Sequence, residues 1–373
     1  MVDIYAKICF IDKQGITELR KIVRSKAPAR IDFSGGWTDV ALFTEESKGL
    51  VINAAINIYS YVTVKGLPKK EIESKSFGYN HKEAVENKAI EIYSADFDIY
   101  EKAEEVKKLE YNGNIDLAKA AIKKMDIQNG LEIITRSNAP AGSGLGTSAS
   151  MGVALIGALN VFGGKNLLPY EIAENASLIE RKELGILGGK QDHYASALGG
   201  INFMEFMGEE VKASKLQLSQ NVLHELEKNL VLCYTGKSRL SGDIHHRVRS
   251  AYEANDPKTR QALRNLKSIA FEMKNILLGE DLSAFGNLLN DNWENQKMLH
   301  PSITNCQIDG IFEIAMSNGA IGGKACGAGG GGCLLFYAES DREHLVRRKL
   351  EEIGINVIDF NFDSNGLQTW TVK

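Results

Sequence analysis

The sequence predicts an α+β protein of two domains with a ligand cleft between them, and three observations carry that prediction. The chain has 373 residues, enough for two hydrophobic cores. Strand-like and helix-like runs follow one another in an order that sets helices over a sheet face in each half. A composition break at Gly199-Gly200 divides residues 1–200, which hold a glycine-rich loop, from an α+β domain at 201–373. A crevice between two such halves is where ligands usually sit.

The elements follow from local pattern. Residues 1–24 are mixed, a short strand or an extension. Residues 22–33 read as extended, because Pro28 biases Ala27 away from helix. Gly35-Gly36-Trp37-Thr38-Asp39 is a loop, and apolar alternation makes 51–65 a long strand. Residues 66–114 are charged and irregular, with a helix expected at 100–109. A short helix at 116–124 and a strand at 131–136 lead into the glycine loop. Helices are expected at 148–161, 169–184 and 191–198, then strands at 201–206, 211–217 and 229–234. Helical periodicity recurs at 242–254, 257–278, 281–297 and 303–317. Strands at 320–326 and 333–338, a helix at 341–353 and strands at 356–362 and 367–372 complete the chain.

The most informative segment is Asn138-Ala-Pro140-Ala-Gly142-Ser143-Gly144-Leu145-Gly146-Thr147-Ser148-Ala-Ser150. Glycines at alternate positions let backbone N–H groups turn toward one point, and the helix that follows adds partial positive charge there. Such a loop receives phosphate, and its hydroxyls either ligate Mg²⁺ or cap the helix. No lysine follows Gly146, so the loop is not a Walker A motif. A dinucleotide pattern at Gly327-x-Gly329-x-x-Gly332 runs into the strand-like Cys333–Tyr337, where that fingerprint requires a helix.

Four more segments carry chemistry. Arg30, on the first strand, is a permanent cation suited to a migrating phosphoryl group or to a structural ion pair, and Asp39 can bind paired hydroxyls. Glu180 and Asp192, twelve residues apart, can divide the work between Mg²⁺ and an attacking hydroxyl; equally, the first suits a solvated helix face and the second a helix cap. Arg239, in the polar loop 234–241, meets an anionic substrate group or lies exposed. Gly327–Gly332, five glycines in six residues, marks close approach by backbone or ligand.

Composition excludes several classes. A net charge of −4 and a pI near 6.1 oppose nucleic-acid binding by bulk charge. Five scattered cysteines without metal-ligand spacing fit free thiols in a reducing cytoplasm. No apolar leader and no stretch near eighteen apolar residues point to a membrane. A cytoplasmic protein with a small-molecule ligand is expected.

Three motifs in order now carry a resemblance: Ala27-Pro28-Ala29-Arg30 with Thr38-Asp39, Pro140-x-x-x-Gly144-Leu145-Gly146-Thr147-Ser148-Ala149, and Gly327-Ala328-Gly329-Gly330-Gly331. From about residue 24 onward the chain resembles the GHMP small-molecule kinases, a two-domain fold with the active site in the cleft. Gly35–Asp39, Gly188–Asp192 and Thr235-Gly236-x-Ser238-Arg239 make it most similar to sugar kinases acting on an anomeric hydroxyl, the heptose 7-phosphate kinases and L-fucokinases.

The resemblance implies ATP and Mg²⁺ as cofactors. Pro140, Gly142, Ser143, Gly144, Leu145, Gly146, Thr147 and Ser148 would hold the nucleotide, and Ser148 and Glu180 the metal. Asp192 would be the general base or orienting carboxylate, with Arg30 as its partner. Asp39, Gly36, Trp37, Arg239, Gly329 and Gly330 would form the sugar side. Gly36-Trp37 stands where galactokinases carry Glu-His, which disfavours a galactose pocket, and Thr147 keeps the hydroxyl of the more usual Ser. The expected activity is phosphorylation of the C1 hydroxyl of D-glycero-D-manno-heptose 7-phosphate. L-fucose or another free sugar is the alternative acceptor, and a catalytically silent sugar-binding protein is the alternative class.

Overall fold

The computed structural model describes residues 21–76, 79–236 and 241–372. Its largest element is an eight-stranded sheet, in the order β14-β1-β2-β7-β5-β6 with β8 and β9 extending from β2. β1 is Ile22–Ser34 and β2 Gly49–Gly66, joined through the short helix α1 (Ala41–Thr44). β3 (Lys70–Ser76) and β4 (Tyr79–Val85) form a separate hairpin. β5 (Ile90–Ser94) pairs with β6 (Ile99–Ala103), α2 is Asp116–Lys124, and β7 is Leu131–Ser137. α3 (Thr147–Phe162), α4 (Pro169–Leu178) and α5 (Gln191–Leu198) follow, then β8 (Ile201–Met207) and β9 (Glu210–Lys215).

α6 (Gln220–Asn229) leads to β10 (Leu230–Tyr234), and α7 (Ser241–Glu253), α8 (Pro257–Leu278), α9 (Phe285–Leu299) and α10 (Cys306–Ser317) come next. β11 (Ala320–Ala325), β12 (Cys333–Ala338), α11 (Glu343–Glu352) and β13 (Asn356–Ile358) precede β14 (Gln368–Val372). The second sheet runs β11-β12-β10-β13, antiparallel throughout. Gly199-Gly200 lies between α5 and β8, while β8, β9 and the returning β14 all belong to the first sheet.

Several elements differ from expectation for local reasons. The Glu- and Lys-rich run at 100–109 reads as helix, yet Ile99–Ala103 alternates and pairs with β5, leaving only a 3₁₀ turn at Val106–Lys108. Cross-strand pairing overrides the helical propensity of that composition. α6 is a further helix beyond those expected; its start is marked by Ser219, whose side chain accepts from the Val222 N–H. The helix expected at 169–184 loosens into a π turn at Ile179–Glu183, a feature that often marks a functional site. The expected strand at 356–362 is short, Asn356–Ile358.

Three cores organise these layers. α2, α3, α4 and α5 bury one face of the first sheet, and α3 supplies an almost unbroken buried run from Ala149 to Asn160. The far ends of β1 and β2 pack with α8, α9 and β12. The second sheet is covered by α7, α10 and α11, and Trp37 and Phe43 reach into that core.

A buried ion pair ties the two sheets: Lys324 of β11 reaches the Asp32 carboxylate of β1 at 3.0 Å and its carbonyl at 2.8 Å. Lys324 is fully buried and Asp32 nearly so. Removing one member leaves an uncompensated buried charge, worth about 3–5 kcal/mol. Lys324→Met is therefore expected to lose about that much in urea unfolding. The double change Asp32→Asn with Lys324→Met is expected to recover part of the loss.

Candidate active site

The site begins with how β1 ends its pairing. β14 pairs β1 only through Ile22–Lys26, and Pro28 offers no N–H to that open edge. Beyond a bulge at Pro28/Ala29, the Arg30 N–H is taken by the Leu145 carbonyl at 2.9 Å. The glycine loop thus completes the edge of the sheet, and Arg30 comes to lie beneath it.

The Arg30 guanidinium joins three structures. Its Nε and Nη2 donate to the two carboxylate oxygens of Asp192 at 2.6 and 2.8 Å, a bidentate pair. Its Nη1 donates to the Gly144 carbonyl at 2.6 Å. Asp192 lies in the first turn of α5 and remains about a quarter exposed to the cleft, whereas Arg30 is buried.

Two glycine segments pack back to back here. A Cβ on Gly327 would lie 2.8 Å from the Gly144 Cα, too close for any side chain. Gly144 itself is in the left-handed region at φ +74°. Ser143 accepts the Cys333 N–H at 2.6 Å through its carbonyl, so the two loops are bonded as well as packed. Gly146 sits at the N-cap of α3, and Thr147 and Ser148 open that helix with Ser148 exposed.

Glu180 faces this helix from the π turn. His193 bonds its Oε2 at 2.7 Å, and Ser148 bonds it too. Burial pushes the Glu180 carboxyl up, yet these hydrogen bonds outweigh it and hold the group below its ordinary value. Among the described residues no group of three or more His, Cys, Asp or Glu could hold a metal. Ser148 and Glu180 present two hard oxygens, the number Mg²⁺ ordinarily takes from protein while keeping its waters. The glycine cradle and this donor set therefore fit a magnesium nucleotide.

The opposite wall is the turn after β1. Asp39 accepts the Gln191 N–H at 3.1 Å, and burial with the nearby Asp192 charge raises its carboxyl to about 6. Trp37 adopts φ +78° and packs at a tilt against His245 of α7, ring centres 4.4 Å apart. Burial depresses the His245 imidazole to about 4, so it is neutral at ordinary pH.

Most of the expected residues line one cleft: Arg30, Gly36, Trp37, Asp39, Gly142, Ser143, Gly144, Gly146, Thr147, Ser148, Glu180, Asp192 and Gly329. Three shape it from behind. Leu145 is core, Pro140 turns the loop by accepting the Ser143 N–H, and Gly330 is bonded to the Ile303 carbonyl at 2.6 Å. Arg239 lies outside the described residues. Sequence reasoning missed His193, whose signal was adjacency to Asp192, and His245, which only the fold brings to Trp37. It also missed Lys190, buried beneath the Glu209 carboxylate at 2.6 Å.

Known proteins resemble this chain in sequence and fold. The model for the GHMP kinases N terminal domain matches residues 115–200, and that for GHMP kinases C terminal matches 263–356. A D-glycero-alpha-D-manno-heptose 7-phosphate kinase of Campylobacter jejuni is 31% identical over 94% of this chain and 100% of its own length. A bifunctional fucokinase/GDP-fucose pyrophosphorylase of Arabidopsis thaliana is 27% identical over 87% of this chain but 31% of its own. The crystal structure of a D-glycero-D-manno-heptose 1-phosphate kinase from Bacteroides thetaiotaomicron superposes with a TM-score of 0.73 at 31% identity, covering 94% of this chain and 99% of that one. Among the described residues no helix is long and apolar enough to cross a membrane.

Asp39 links the site to pH. With its folded value near 6 against an ordinary 3.8, the folded state keeps a proton that the unfolded state has lost. Its contribution to unfolding free energy therefore falls as pH rises from about 4 to about 6. In urea titrations across that window, Asp39→Asn is expected to lack this fall, so it gains on the parent protein as pH rises. A parallel dependence in both would contradict the assignment. The shared motifs, the two family models and the full-length match together show that the chain belongs to the GHMP kinases and is an ATP-dependent sugar kinase.

Proposed function

We propose that this chain transfers the γ-phosphoryl group of ATP to the anomeric C1 hydroxyl of D-glycero-D-manno-heptose 7-phosphate. The observation that carries the reading is the bidentate Arg30–Asp192 pair, placed where the glycine loop meets the Trp37–Asp39 turn. The full-length likeness to a heptose 7-phosphate kinase supplies the acceptor, and Gly36-Trp37 in place of the galactokinase pair is in keeping with a sugar other than galactose. L-fucose is the second reading, favoured by the fucokinase relative. Four free cysteines among the described residues fit the cytoplasm as its compartment.

In this reading Asp192 accepts the hydrogen bond of the sugar hydroxyl and orients it for in-line attack. Phosphoryl transfer passes through a loose transition state, so orientation and charge matter more than early proton removal. Both Asp192 oxygens are engaged by Arg30, which fixes the carboxylate and places a permanent cation beside the transferring group. Gly142, Gly144, Gly146 and Thr147 would direct backbone N–H groups at the phosphates, and Ser148 and Glu180 would hold Mg²⁺, His193 fixing the Glu180 carboxylate. Mg²⁺ bound with the nucleotide supplies neutralisation of phosphate charge. Asp39 accepts sugar hydroxyls against the Trp37 wall.

The direct test is ADP release over a panel of sugars and sugar phosphates, with ³¹P NMR locating the new phosphate on the anomeric carbon. Asp192→Asn is expected to fold normally and lose about 10²–10⁴ in kcat while KM for ATP barely moves. Near-normal turnover would remove Asp192 from the mechanism. Ser148→Ala and Glu180→Gln are each expected to raise the Mg²⁺ concentration needed for half-maximal rate. An unchanged Mg²⁺ dependence in both would leave Ser148 as a helix cap only.

A further inference from the structure

A second hollow adjoins the active-site cleft. The two share a wall that includes Trp37, Leu187, Gly188 and His245. No residue of 142–149 lines the second hollow, so it lies on the side of the wall away from the glycine loop. Trp37 holds a left-handed backbone conformation that non-glycine residues rarely adopt, and its indole packs against His245 in that wall.

The charges around the hollow are unevenly matched. Arg181, Lys182 and Lys190 converge on the single carboxylate of Glu209, at 3.1, 3.2 and 2.6 Å. Lys190 is buried and Arg181 nearly so, while Glu209 is more than half exposed on the turn between β8 and β9. The three cations hold the Glu209 carboxyl down at about 2. Across the hollow Arg249 is matched by Glu253 at 2.8 Å, and Glu45 adds a further carboxylate. The positive excess therefore lies on the Arg181 side, where Arg181, Lys182 and Lys190 face Glu209 and, from the cleft, Glu180.

We propose that this hollow is the anion subsite of the acceptor. It receives a phosphate ester at the end of the sugar remote from the reacting hydroxyl, against Arg181 and Lys182 with Lys190 behind them. The inference rests on the kinase reading above and deepens it by naming the residues that recognise the acceptor's terminal phosphate. A dianion brings two charges and three acceptor oxygens to three cations that Glu209 and Glu180 leave in excess. The reacting hydroxyl lies at Asp192 in the cleft, and the phosphate reaches the hollow past Arg181, which lines both. A neutral sugar occupies only the first chamber.

The experiment is steady-state kinetics of the full chain with D-glycero-D-manno-heptose 7-phosphate and with the unphosphorylated heptose, inorganic phosphate serving as a competing probe. Arg181→Gln and Lys182→Gln are each expected to raise KM for the phosphate ester about 10–100-fold and to leave KM for the free sugar unchanged. Inorganic phosphate is expected to raise the apparent KM of the ester in the parent protein and to lose that effect in both variants. Glu209→Gln, which removes the competing carboxylate, is expected to lower KM for the ester. A clamp that only pins the β8–β9 turn predicts otherwise: lower melting temperatures with equal KM changes for both acceptors. That result overturns the subsite. Equal KM for the two acceptors in the parent protein also overturns it and leaves the kinase reading standing, whereas no ADP release with any sugar overturns both. Lys182 is well exposed, so its variant gives the answer even where Arg181→Gln fails to fold.

Discussion

The Arg30 guanidinium is the constraint on which the rest of the site depends. It is buried, permanently charged and bonded at once to Asp192 and to the glycine-loop carbonyl of Gly144. Burying that charge is tolerable only because each bond is charge-assisted and well aligned. The same three bonds fix the spacing between the phosphate-binding loop and the carboxylate that faces the acceptor. Lysine has a point charge where this geometry requires a planar fork, so the residue type follows from the arrangement.

The backbone prepares the position that Arg30 occupies. β14 pairing stops at Lys26 and Pro28 adds no donor to that edge, which leaves the Arg30 N–H for Leu145. The small residues of α3 let that helix lie flat on the first sheet, which aims its N-terminus at the cleft. From the second sheet, the loop Gly327–Gly332 meets Gly144 at backbone contact, and Lys324 neutralises Asp32 just behind. Both sheets thus contribute to one cleft, and neither half completes it alone.

Much of this was legible in the residues. The glycine loop declares itself by spacing, whereas the Arg30 and Asp39 segment and the Glu180–Asp192 interval take their roles from the family resemblance; the structure gathers all of them in a single cleft. The misplaced helix at 100–109 shows the limit of composition, because only pairing with β5 distinguishes that run from a solvated helix. His245 was illegible for a different reason: it reaches Trp37 across more than two hundred residues of chain, and no local pattern encodes that contact. Leu145 and Gly330 belong to recognisable motifs yet serve the loop's shape, a distinction that depends on which way each backbone group points.

The measurement that tests the central claim most directly is a double-mutant cycle on kcat with Arg30→Lys and Asp192→Asn. If the two residues act as one unit, each single change costs most of the rate and the double variant is about as slow as the worse single one. Melting curves of the four proteins separate this from loss of fold. Multiplicative losses in kcat would mean that Arg30 and Asp192 act independently, and would contradict a site organised around their pairing.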